Sequence, residues 1–201
     1  MKKIIVCTFL TMDGVMQGPG GPEEDTSGNF PWGGWGALHW DDVMNETMAR
    51  HTAAPYDLLL GRHTYEIFAG YWPNHDDDPT GHLFNRINKY VAATTPVHLS
   101  WDGSILLEGN VAEAVKTLKA QDGPDLLVWG SGKLVQTLLK HQLVDIMHNW
   151  IFPVTLGTGK KLFTEGTQAQ QWKLVSSVVS TTGVIVASYQ PNGEVQTGTM
   201  S

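Results

Sequence analysis

The run "KIIVCTFL", residues 3–10, constrains the fold more than any other stretch, because apolar and β-branched residues fall on both of its faces. A half-solvated strand alternates apolar with polar. One without that alternation is covered on both faces, as in a parallel sheet flanked by helices. Parallel strands need crossovers, which are right-handed and usually helical. The rest of the sequence supplies them. Helical periodicity runs from about Asp41 to His51, "YDLLLG" from Tyr56 reads as a second strand, and "RHTYEIFAGYW" from Arg62 as a helix. A short helix is expected near Leu83 to Asn88, a third strand from Tyr90, and a fourth around Ile105 to Leu107. Asn110, with Glu113 three residues on, opens a helix whose apolar side is Ala114, Val115 and Leu118. "DLLVWG" and Ser131 to Lys140 form the next strand and helix. Then helices stop: "VDIMHNWIFPV", "WKLVSSVVS" and "GVIVASY" are three strands, the last two an antiparallel hairpin. The expected architecture is a three-layer α/β sandwich around a mixed, mostly parallel sheet with a C-terminal antiparallel hairpin. One domain is expected over residues 1–190, with a tail over 191–201.

Composition narrows the function classes. A net charge of −7, with no basic block to offset it, argues against nucleic acid as a partner. No apolar run has the roughly 18–20 residues that span a bilayer. The two lysines before "IIVCTFL" resemble a signal-peptide start, but a Thr-Met-Asp-Gly turn follows where a cleavage site would stand, so the stretch reads as a strand. The single Cys7 excludes an internal disulfide framework and a cysteine metal site, and a cytoplasmic location is expected.

The chemistry concentrates where strands end and helices begin. In "VWGSGKLVQTLL" a strand runs into Gly130-Ser131-Gly132-Lys133 and then a helix faced by Leu134, Val135, Leu138 and Leu139. It is not a P-loop, because Leu127 and Leu134 stand where that motif needs Gly and Ser or Thr. It is not the dinucleotide fingerprint either, since Val135 replaces the third glycine. Two readings remain: glycines that let an anion approach free helix N–H groups, or a plain strand-to-helix turn with Ser131 as N-cap. A second junction, "LLLGRHTYE", sets Gly61, Arg62, His63 and Thr64 in the same position, with a forked cation and a hydroxyl. A third strand end, "AATTP", offers Thr94 and Thr95. Ligands of open α/β sheets bind at the carboxyl ends of strands. Three such ends with anion-binding chemistry point to one extended, multi-phosphate ligand.

The order "LLLGRHTYE", "VAATTP", "NVAEAVKTLK", "LLVWGSGKLVQTLL" resembles dihydrofolate reductase and its relatives. "TMDG" after the first strand and "LVDIMHNWIFPVTLGTGKKLF" are closer to the RibD C-terminal reductases of bacterial riboflavin synthesis. The resemblance covers roughly residues 3–190. It implies NADPH as cofactor and hydride transfer to a small heterocyclic, pterin-like or riboflavin-precursor-like substrate. Arg62, His63 and Thr64 match the segment that meets the 2′-phosphate and pyrophosphate, and Gly61 precedes them. Thr94 and Thr95 match the adenosine end. Gly130, Ser131, Gly132, Lys133 and Leu134 match the glycine turn under the pyrophosphate. A carboxylate expected on the helix before "LLLG" falls at Asn45 by direct count, with Glu46 beside it, and Glu46 is the candidate acid. The Asp-Glu usual in the riboflavin branch is Asp145-Ile146 here. A fold retained for nucleotide binding without turnover is the alternative function.

Other residues admit two readings. Asp13 is a candidate catalytic group near the nicotinamide, or one half of an ordinary Asp-Gly turn. The Gly/Pro-rich stretch from Asp13 to Gly36 is long enough to be a lid. Its Trp32 and Trp35, with Trp40, either wall a substrate ring or pack the loop. Eight histidines show no paired metal spacing, so no metal is expected. His75 with Asp76 to Asp78 reads as a solvated acidic loop, His148 as a core histidine, and Lys160-Lys161 as turn residues. The exposed antiparallel edge of the last third makes a homodimer the expected assembly.

Overall fold

The computed structural model describes residues 1–200. Eight strands form one sheet in the order β4-β3-β2-β5-β1-β6-β8-β7. They are β1 (Ile4–Thr11), β2 (Tyr56–Gly61), β3 (Lys89–Ala92), β4 (Ser104–Leu107), β5 (Asp125–Trp129), β6 (Ile146–Phe152), β7 (Trp172–Val179) and β8 (Ile185–Pro191). Every pairing from β4 to β6 is parallel, and β8 runs against both β6 and β7. The α/β class and the mixed, mostly parallel sheet are as expected.

β1 shows how the layers arise. Ile4, Val6 and Leu10 point to one face, where they meet α4 (Val111–Lys119) and α5 (Gly132–Lys140) through Val115, Leu118, Val135 and Leu138. Ile5, Cys7 and Phe9 point to the other, toward α1 (Asp42–His51), α2 (Arg62–Tyr71) and α3 (Pro79–Phe84) through Met44, Tyr65 and Phe84. A period of two on a doubly covered strand therefore yields two cores, one on each side of the sheet. Burying each of the four apolar α5 side chains contributes about 1.5–3 kcal/mol, enough to fix its N-terminus against the sheet.

One helix lies earlier than expected. α3 begins at Pro79, not near Leu83, because the Asp78 carboxylate accepts from the Thr80 and Gly81 N–H groups and Pro79 needs no partner. The neighbouring Asp76 pairs with Arg86 at 2.8 Å, and the His75 ring stacks on Tyr71.

His148 is buried as expected, but it is not alone. Its ring stacks on His51, the last residue of α1, with centres 3.6 Å apart. Its Nδ1 lies 2.8 Å from the Ser188 hydroxyl. Burial, reinforced by Arg50 beside His51 and by His51 beside His148, pushes the two imidazoles down to about 4 and about 3. Both groups bind protons more weakly in the folded chain than unfolded, so their contribution to stability is complete above the ordinary value of 6.5. It is lost as pH falls from there through the folded values. Thermal melts should show a lower midpoint at pH ~5 than at pH ~7, and His148→Phe should narrow that difference.

Candidate functional site

The carboxyl ends of β2, β3 and β5 open into a cleft of about 2660 Å³, closed on its other sides by α1, α2 and the loop after β1. Two strand-to-helix junctions form its floor, and they are tied to each other. Gly130 and Ser131 both adopt left-handed backbone, at φ 52° and 53°. For serine that conformation costs about 1–2 kcal/mol, and two hydrogen bonds hold it. The Ser131 N–H donates to the Thr64 hydroxyl at 3.0 Å, and the Ser131 hydroxyl accepts from the Gly61 N–H at 2.9 Å. Ser131 is thus not the side-chain cap of α5 that a simple turn would make it; its hydroxyl locks the start of α2. Ser131→Ala strands the Gly61 N–H and should lower stability by about 1–2 kcal/mol in urea titration.

No side chain caps α2 or α5 among the described residues, so the N–H groups of both first turns are available to a ligand. Arg62 stands at the rim. Its Nε donates to Glu66 at 2.9 Å and its Nη1 to the Thr95 hydroxyl at 2.6 Å, which orients the guanidinium. Nη2 has no partner among the described residues. Thr94, Thr95, His63, Lys133 and Leu134 also line the cleft. All eleven residues expected at a cofactor site are therefore brought to one place.

The two candidate catalytic residues are not among them. Asp13 lies off the cleft, and its carboxylate accepts from the Thr11 hydroxyl and from the N–H groups of Leu156 and Gly157. The Thr11 bond, aided by the backbone donors, holds it down to about 2, as a permanently charged turn brace. Glu46 is exposed and does not line the cleft. Asn45 does, with its Oδ1 accepting from the Trp40 indole N–H at 2.7 Å.

The loop after β1 covers the cleft with residues 16–25. Gly33 permits its tight fold, since a Cβ there would lie 2.4 Å from the Pro22 carbonyl oxygen. The buried Asp25 carboxylate is its anchor, 2.6 Å from Lys160 Nζ and 3.1 Å from His63 Nε2. Burial alone would raise this carboxyl, but bonds from Lys160, Ser27 and His63 outweigh it and hold the group well below the usual range. Lys160 is therefore a latch between the lid and the α2 junction, not a plain turn residue. The tryptophans divide: Trp32 is exposed, Trp35 packs on Phe152 and bonds the Gln17 carbonyl, and Trp40 faces the cleft while stacked on Trp150.

Residues 2–186 match the RibD C-terminal domain family. The chain belongs to that family. A curated relative, the uncharacterized protein YyaP of Bacillus subtilis (strain 168), is 29% identical over 196 residues, 96% of each chain. Three solved structures share the fold. A putative riboflavin biosynthesis protein from Shewanella sp. PV-4 aligns with TM-score 0.67 and 22% identity over 94% of this chain and 99% of its own. A pyrimidine reductase-like protein from Corynebacterium diphtheriae gives 0.63 and 13% over 96% and 93%. Dihydrofolate reductase from Enterococcus faecalis, complexed with NADP(H) and RAB-propyl, gives 0.59 and 16% over 94% and 96%. A RibD C-terminal domain is a reductase-type fold, and the glycine turns, Arg62 and the threonines of the cleft could be read from the sequence at their strand ends. Phe9, Trp129 and Lys160 carried no local sequence signal of their place in the cleft.

Proposed function

We propose that this RibD C-terminal protein is an NADPH-dependent reductase that transfers a hydride to a small planar substrate, heterocyclic or of similar shape. The observation that carries this reading is the cross-tie of Gly61, Thr64 and Ser131. It presents two uncapped helix N-termini to one cleft, with Arg62 beside them. That donor set fits a dinucleotide. The N–H groups of residues 132–134 and the hydroxyl of Thr64 suit the pyrophosphate, and Gly130 and Gly132 keep the approach open. A Cβ on Gly132 would lie 3.0 Å from Met16 Sδ of the lid. Arg62 suits a 2′-phosphate, and Thr94 and Thr95 the adenosine side. When bound, the dihydronicotinamide supplies a hydride. The chain's own work is to orient that ring and its acceptor and, through residues 16–25, to keep water from the site.

The exposed Leu174, Val175 and Val179 of edge strand β7 support pairing of two copies there. The one cysteine, Cys7, is free and buried, which suits a reducing, cytoplasmic setting. No helix among the described residues is long and apolar enough to cross a membrane.

Absence of a cleft-facing carboxylate on α1 favours a second reading, a nucleotide-binding module without turnover. Loss of NADPH absorbance on adding pterin, flavin-precursor or quinone acceptors decides between them. Turnover with one acceptor class is expected; tight NADPH binding with none consumed would leave the binding module.

A further inference from the structure

We infer that the acceptor is an uncharged, planar conjugated carbonyl compound of the quinone class, held by the Asn45 amide against an aromatic wall; this rests on the proposed NADPH reading. The wall is Phe9, Trp40, Met48 and Trp129, with the Phe9 ring edge-on to Trp40 and to Trp129, both 5.7 Å between centres. α1 lines the cleft with Asn45, Met48 and Ala49, none of them charged. The basic side chains of the cleft are otherwise engaged. His63 and Lys160 are bound to Asp25, Lys161 lies 4.0 Å from Asp13, and Arg62 and Lys133 sit at the two junctions assigned to the cofactor. A substrate phosphate or glutamate tail would meet no free cation at this wall, whereas a neutral ring buries apolar area and stacks.

Asn45 fixes the polarity. An indole N–H can only donate, so the amide atom facing Trp40 is the oxygen and the NH₂ group is left as a donor. A donor recognises an acceptor atom, and a carbonyl oxygen accepts more strongly as it gains charge. An amide holds no transferable acidic proton and α1 turns no carboxylate to the cleft, so a ring nitrogen that must be protonated for reduction would find no acid on the helix beside it. A carbonyl acceptor needs none. A C–H bond forms at the conjugated ring carbon, the π pair moves onto the oxygen beside Asn45, and, once the cleft opens, solvent water protonates the enolate, which for a quinone tautomerises to the hydroquinone. Two electrons leave NADPH and two enter the acceptor.

The test gives the protein saturating NADPH with menadione, dihydrofolate or a phosphorylated ribosylaminopyrimidine, while NADPH binding is followed separately by fluorescence. Menadione should be reduced with kcat/KM at least about tenfold above either charged compound. Asn45→Ala should lower kcat for menadione about tenfold to a hundredfold with KM little changed. Asn45→Asp should be as slow at neutral pH and recover in acid, as its carboxyl gains a proton to donate. Both variants should bind NADPH as the parent does. Faster reduction of a charged compound, no reduction of menadione by NADPH-loaded protein, or parental kcat in both variants would overturn the inference. Failure of the parent to bind NADPH would instead remove the reading beneath it, and the inference with it.

Discussion

Arg62→Ala should weaken NADPH binding about tenfold to a hundredfold, because a charge-assisted hydrogen bond contributes about 1.5–3 kcal/mol. NADH binding should change little, since it has no 2′-phosphate. The Glu66 and Thr95 bonds hold the guanidinium in place before the ligand arrives, so little side-chain entropy remains to be lost on binding. The side chain is 44% exposed, which makes the effect salt-dependent and larger in dilute buffer. Fluorescence titrations with both nucleotides at two ionic strengths check this. Equal weakening of NADPH and NADH would mean that Arg62 serves the start of α2 rather than a phosphate.

Trp150→Ala should produce the largest loss of stability, about 3–5 kcal/mol, as expected for removing a fully buried indole. Trp150 has no exposed surface, stacks on Trp40 with planes 4° apart and meets Phe9 edge-on at 5.5 Å. Its removal takes the backing from Phe9 and Trp40, two of the rings that face the cleft. Reduction of an aromatic acceptor should therefore fall further than NADPH affinity, whose contacts lie on the glycine turns. Trp150→Phe keeps a ring in place and should retain most of both. Urea denaturation of the two variants measures the difference, and a loss below about 1 kcal/mol in the alanine variant would contradict the packing described.

How far the sequence could be read follows from the range of the interactions involved. The two strand-to-helix junctions were legible because their chemistry is local: glycines, a helix start and an anion-binding side chain lie within a few residues. Even there the role of Ser131 was not, since its partners Gly61 and Thr64 are 70 and 67 residues away. Lys160 reads as a turn residue for the same reason; its latch to Asp25 spans 135 positions. Glu46 fails on helix phase. Adjacent helical residues differ by about 100° in direction, so one position decides whether a side chain faces the cleft or water, and Asn45 is the one that faces it. The early start of α3 was available in Asp78-Pro79, an N-cap followed by a first-turn proline.

The cross-tied turns at Gly61–Thr64 and Gly130–Leu134 are proposed to form an NADPH site. Titrating the purified protein with NADPH, and following the enhancement of nicotinamide fluorescence, tests it most directly. Saturable binding in the micromolar range, weakened by Arg62→Ala, is the predicted result. Absence of saturation below millimolar NADPH would contradict it.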